Sequence, residues 1–223
     1  MATRSERSRR VAAARERFAA FYPDGFDDAD YIDLERRYKV DAHRSWQETL
    51  GRAEFSRRLT AGDHEAIARD AVRIEARTNL LFSFEKIALR EAVSSSGGAQ
   101  AFSEGLFAWL HGPGRTATRF ERWCEVVGDL PRSRTRVLTW PVVTTFGFIA
   151  RPKVHVMLKP MVTRRAAREY GFDFHYASTP RWKTYESLLR FCATIRDDLA
   201  DWGPRDLIDV QSFIWVLGSE EYD

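Results

Sequence analysis

The chain has 223 residues, 44% of them hydrophobic and 30% charged, with a formal net charge of +3. That is the balance of a globular protein long enough to bury its own core without staples, and it excludes a disordered or disulfide-framed chain. The longest apolar-leaning run, residues 137–150, is broken by Pro141 and by threonines. It is too short to cross a bilayer, so no membrane partner is expected.

Residues 1–20 carry six arginines against two glutamates, which predicts either a basic arm or a frayed N-terminal helix ahead of a single domain at 21–223. Residues 1–10 are basic and residues 11–20 are charged and amphipathic, unlike an apolar signal segment. From Tyr31 the apolar period is helical, with Tyr31, Leu34, Tyr38, Ala42, Trp46 and Leu50 on one stripe and Gly51 closing it. Asp63 is an N-cap candidate for a helix burying Ile67, Ala71 and Ile74. Residues 79–93 continue helically, with Leu80, Phe84, Ile87 and Ala88 placed inward. After the SSSGG turn at 94–98, a helix at 99–111 ends at Gly112, and another carries Phe120, Trp123, Cys124 and Val127 up to Pro131. A sub-boundary near 130 fits the spacing, but Trp and Phe density on both sides favours one body.

Beyond Pro131 the pattern changes. Trp140-Pro141 opens a run that reads as a strand or as a Pro-initiated helix, with helix the preferred reading. Residues 153–159 and 172–177 alternate apolar and polar side chains and are read as two half-buried strands. A short helix at 163–170 lies between them, closed by Gly171. The remainder returns to helix: 183–202, buried through Tyr185, Leu188, Leu189, Cys192, Ile195 and Leu199, and then 204–217, apolar nearly all round. The fold class expected is mainly α (α+β), a helical single domain with a small two-stranded β element near 153–177.

Charge is distributed unevenly. Residues 130–168 contain no Asp or Glu but nine basic side chains: Arg132, Arg134, Arg136, Arg151, Lys153, Lys159, Arg164, Arg165 and Arg168. Residues 197–223 invert this, with eight acidic residues against Arg205 alone. Guanidinium forks suit phosphate, and Arg164 and Arg168 share one face of a helix at i, i+4. Trp140, Tyr176, Trp182 and Tyr185 lie in or beside the basic stretch, where single-stranded bases stack on such rings. These features predict a nucleic-acid surface made of the nine basic residues and Trp182. The blander reading is that the acidic end folds back and neutralises them. Thirty arginines to five lysines also reflect codon composition as readily as phosphate binding.

Other constellations are sparser. In the last helix Arg205, Asp209 and Ser212 form a polar line at i, i+4, i+7 on an otherwise apolar element. It is either a structural network or the centre of an enzyme acting on an anionic small molecule. His155 and His175 would meet if the two strands paired, and with Asp173 they would be a minimal metal set. No GxxxxGK[ST], GxGxxG or GxSxG stretch occurs, and no cofactor is expected. Cys124 and Cys192 lack metal-ligand spacing and are read as buried thiols in a cytoplasmic protein. A third class is an interaction module in which basic and acidic faces pair between the subunits of a homo-oligomer.

Three segments, NLLFSFEKIALREAV at 79–93, RVLTWPVVTTFGFIARPKVHVMLKPMVTRRAAREYGFDFHY at 136–176 and PRDLIDVQSFIWV at 204–216, resemble a widespread set of uncharacterised bacterial proteins without assigned activity. The last segment also resembles C-terminal pieces of DNA-restriction and defence proteins. That likeness implies nucleic acid as the partner and supplies no catalytic residues.

Overall fold

The structure is a computed structural model that describes residues 4–132 and 136–223. Every regular element among the described residues is helical: α1 (Arg4–Phe21), α2 (Ala29–Tyr31), α3 (Arg37–Leu50), α4 (Arg52–Thr60), α5 (His64–Ala76), α6 (Ser83–Ala92), α7 (Ser96–His111), α8 (Thr116–Asp129), α9 (Trp140–Ala150), α10 (Pro160–Tyr170), α11 (Trp182–Asp198) and α12 (Leu207–Gly218). A π-helical turn, Ile32–Arg36, joins α2 to α3 without a break.

Two helices buried nearly all round organise the molecule. α9 is buried along its whole length and lies against α3, α5, α7 and α8. Thr139 caps it, accepting from the Val142 amide, and Pro141 occupies the first turn, where a missing N–H costs nothing. α12 is buried at every position but Trp215 and packs on α1, α10, α11 and the π turn. Its N-cap is Asp206, two residues beyond the proline start expected from sequence. Helices that are apolar all round belong in the centre of a fold, and the remaining helices cover these two. Buried residues before and after position 130 belong to one continuous apolar core.

The arginine-rich N-terminus is part of this body. α1 contributes Ala14 and Phe18 to the core, and Phe18 packs its ring against Tyr22, Phe26, Tyr31 and Phe213.

The two-stranded element is absent among the described residues. At 153–159 the alternation fails, because His155, Val156, Met157 and Leu158 are all buried in succession. The segment threads through the core, and its amides find side chains instead of a ladder: Val156 N donates to Tyr185 Oη at 3.2 Å and Leu158 N to Thr144 Oγ1 at 3.0 Å. At 172–177 the alternation is real. Phe172, Phe174 and Tyr176 are half-buried and Asp173 and His175 exposed. The partner, however, is α11: His175 N donates to Ser187 Oγ at 3.0 Å and Ala177 N to Thr184 Oγ1 at 3.1 Å. Buried backbone must be paired, and hydroxyls on neighbouring helices meet that need here.

The stripe assigned to 79–93 is also shifted. α6 starts at Ser83, with Glu85 accepting from the Phe82 amide at 3.1 Å, and it buries Glu85, Ala88, Leu89 and Ala92. Phe82, Phe84 and Ile87 stay exposed, the two phenylalanine rings stacked at 5.8 Å.

Candidate functional site

The acidic C-terminal stretch folds back, chiefly onto α1. Arg7 reaches Asp198 at 2.7 Å, Arg15 pairs with Asp201, and Arg17 reaches Asp223 at 2.7 Å. Among the described residues of the basic middle, only Arg165 joins this set, through Asp223 at 2.6 Å, and it also pairs with Glu169 at 3.0 Å. Those contacts hold its pKa above the ordinary guanidinium value and the Asp223 carboxyl below its own. Asp198, Asp201, Asp206, Asp209 and Asp223 of the acidic stretch are thus paired within the chain.

The other predicted basic residues do not form one surface. Arg164 and Arg168 stand on the outer face of α10, whose inner face buries Thr163, Ala166, Ala167 and Tyr170. They line a groove of about 940 Å³ together with Arg165, Phe172, Phe174, Tyr176, Glu220 and Glu221. The Arg164 guanidinium lies 4.8 Å over the Tyr176 ring, and neither Arg164 nor Arg168 is ion-paired with a described carboxylate. Arg151 and Lys153 lie at the opposite end of α12, beside Asp206, in a separate cleft of about 520 Å³. Twelve residues of helix, about 18 Å, separate the two.

Lys159 lines neither cleft, its Nζ being 4.5 Å from the Trp215 ring and 5.1 Å from Phe82; burial lowers its pKa, partly offset by Glu221, Glu85 and Glu35. Arg132 and Arg136 are exposed on the loop between α8 and α9, and Arg134 lies outside the described residues. Trp182 belongs to a corner of the core, packed on Phe120 and Tyr185, with Nε1 donating to Glu186 at 3.3 Å. Trp140 and Tyr185 are buried, which leaves Tyr176 as the one ring of the predicted four beside the α10 arginines.

The polar line of α12 is a saturated network. Asp209 is fully buried and accepts from Tyr31 Oη at 2.5 Å, Arg36 Nη1 at 2.8 Å, the Arg205 amide at 2.8 Å and Arg205 Nε at 3.0 Å. Arg36 also holds both oxygens of Asp206 at 2.9 Å. Burial pushes Asp206 upward, but Arg36 outweighs it and leaves the carboxyl below its ordinary value. Beside this, Lys39 Nζ donates to Glu35 at 3.1 Å and Ser212 Oγ at 2.8 Å, while Glu35 accepts from Tyr222 Oη at 2.8 Å. Asp209 thus has its acceptor positions filled and no exposed surface. Arg205 and Asp209 tie α12 to the chain near Phe26 and α2.

The histidines do not assemble. His155 is buried against Trp109, ring centroids 4.5 Å apart, with Nδ1 3.3 Å from Tyr185 Oη, whereas His175 and Asp173 are exposed. No three His, Cys, Asp or Glu side chains among the described residues could hold a metal. Cys124 and Cys192 are free and buried, and burial raises both thiols to about 12. No helix among the described residues is long and apolar enough to cross a membrane.

Sequence reasoning missed Glu35, Arg36, Lys39 and Tyr222. The i, i+4 spacing of Glu35 and Lys39 was visible, but it reads equally as a solvated surface pair until Ser212 is known to face it. Arg52 and Arg119, which share the second cleft with Arg151, come from helices distant in sequence.

Fold and grooves together define a mainly helical protein with two basic-lined clefts at opposite ends of a central helix. No protein-family model matches the chain, and no curated protein or solved structure is similar to it.

Proposed function

We propose that the protein binds single-stranded nucleic acid along the α10 groove, with Arg164 and Arg168 on the phosphates and the Phe172, Phe174 and Tyr176 rings beside the bases. The observation that carries this reading is the presence of two cations without carboxylate partners and three aromatic rings in one groove. A basic track beside stacking platforms is the common means of holding a single strand without sequence preference. The likeness of residues 204–216 to restriction and defence proteins points to the same class of partner. Arg165, occupied by Glu169 and Asp223, plays no part in contact.

The test is fluorescence anisotropy of labelled single-stranded DNA and RNA at low salt. Reversal of charge in Arg164→Glu with Arg168→Glu is expected to weaken binding by at least tenfold, equally across sequences. Undiminished binding by that variant would remove the groove from the interface.

A second reading, association with another protein surface, rests on the exposed Phe82, Phe84 and Ile87 of the α6 region. Sedimentation at increasing concentration tests it, with an unchanged coefficient counting against self-association.

A further inference from the structure

The cleft at the N-terminal end of α12 has no role in nucleic-acid binding at α10, and its chemistry is distinct. It is bounded by the C-terminal ends of α3, α7 and α9 and by the first turn of α4, and holds about 520 Å³, the size of a small-molecule pocket. Four of its charged lining residues are basic, Arg52, Arg119, Arg151 and Lys153, and one is acidic, Asp206. Asp206 is already held through both oxygens by Arg36, and none of the four cations makes an ion pair with a described carboxylate.

A purely structural role accounts for part of this. Arg151 Nη1 donates to Leu110 O at 2.7 Å and Arg119 Nη1 to Gly112 O at 3.0 Å, so both arginines satisfy carbonyls at the C-terminal end of α7. A helix C-terminus carries roughly half a negative charge, which does not balance four cations. The capping bonds also leave donors over. Arg119 Nε and His111 Nε2, both in the cleft lining, are buried with no hydrogen-bond partner. Two such atoms in one cleft are unusual, because buried polar groups are normally paired. Trp46, Leu110, Pro152 and Val154 add an apolar wall.

We propose that this cleft binds the phosphoryl group of a small molecule, with Arg52, Arg119, Arg151 and Lys153 around its oxygens and the apolar wall against the remainder. Arginine forks match phosphoryl oxygens bidentately, and a dianion answers a concentration of cations that a single carboxylate would not. The state of His111 agrees. Burial, then Arg151, Arg52 and Arg119, push it down to about 4, so at neutral pH it offers a neutral ring with one N–H.

The test is calorimetric titration and thermal shift of the full chain with inorganic phosphate, AMP and uncharged adenosine at low ionic strength. Phosphate and AMP are expected to bind saturably, and adenosine is not. Arg52 and Lys153 are exposed and make no described hydrogen bond, so Arg52→Gln with Lys153→Gln should fold normally and lose roughly tenfold or more in affinity. Arg52→Lys, which keeps the charge but not the fork, should lose less than Arg52→Gln. Arg164→Glu with Arg168→Glu should leave phosphate binding unchanged, which separates this site from the α10 groove. Bound phosphate should also raise the His111 pKa in an NMR titration, since an anion favours imidazolium facing Arg52, Arg119 and Arg151. Absence of saturable binding by phosphate and AMP would overturn the proposal, as would binding lost in the α10 variant and kept in the Arg52, Lys153 variant.

Discussion

Lys39 is only 3% exposed, and burial lowers its pKa while Glu35, at 3.1 Å, partly restores it. A buried pair of this kind is costly to break from one side, because the remaining charge has no water and no partner. Lys39→Met should therefore cost about 3–5 kcal/mol by urea unfolding. In a Glu35→Gln background the same change should cost much less, since no charge is stranded; equal costs in both backgrounds would show that packing, not charge, is responsible. Histidine sets the pH response. Burial, with Arg151 foremost among the nearby charges at His155, depresses His155 to about 3 and His111 to about 4, from 6.5. Below pH 6.5 the unfolded chain binds protons that the folded chain refuses, so stability should fall from pH 6.5 toward 4 and, through His155, further toward 3. His111→Gln with His155→Phe should flatten the fall between pH 6.5 and 5, and an unchanged slope would place its origin elsewhere.

At the scale of elements, α10 and α12 meet at Gly218. A Cβ there would fall 2.1 Å from Val162 O and 2.8 Å from its carbonyl carbon, backbone atoms that cannot swing aside. Gly218→Ala should destabilise the chain by about 1–3 kcal/mol and displace α10, weakening nucleic-acid binding along with it. A variant with wild-type stability would contradict the close approach. Helical periodicity made α3, α5, α7, α8, α10 and α11 legible, because each buries one face at a spacing of 3.6. The alternation at 172–177 was equally legible but its partner was not. Period two reports which side chains face inward, whereas the strand assignment needed a second strand, and Thr184 and Ser187 supply the hydrogen bonds instead. Of the inward stripe expected at 79–93, Leu80 and Ala88 are buried, but α6 turns Glu85, Leu89 and Ala92 inward and leaves Phe84 and Ile87 outside.

Across the whole molecule, linear charge segregation did not become one charged surface. Residues 151–168 run from one end of α12 to the other, so basic residues adjacent in sequence are delivered to two clefts. The acidic stretch neutralises α1 and Arg165, and its carboxylates at 206 and 209 are consumed inside the core. Sequence made the α10 arginines and Tyr176 visible because they lie within thirteen residues of one another. It could not show the second cleft, assembled from α4, α7, α8 and the segment after α9. The most direct test of the nucleic-acid reading is the salt dependence of single-strand binding, wild type against Arg164→Gln with Arg168→Gln. Each phosphate contact on a single strand contributes a slope of about −0.7 in log K against log salt. Loss of both arginines should therefore make the slope shallower by about 1.4. Equal slopes would mean that the α10 arginines do not touch phosphate, and the reading would fall.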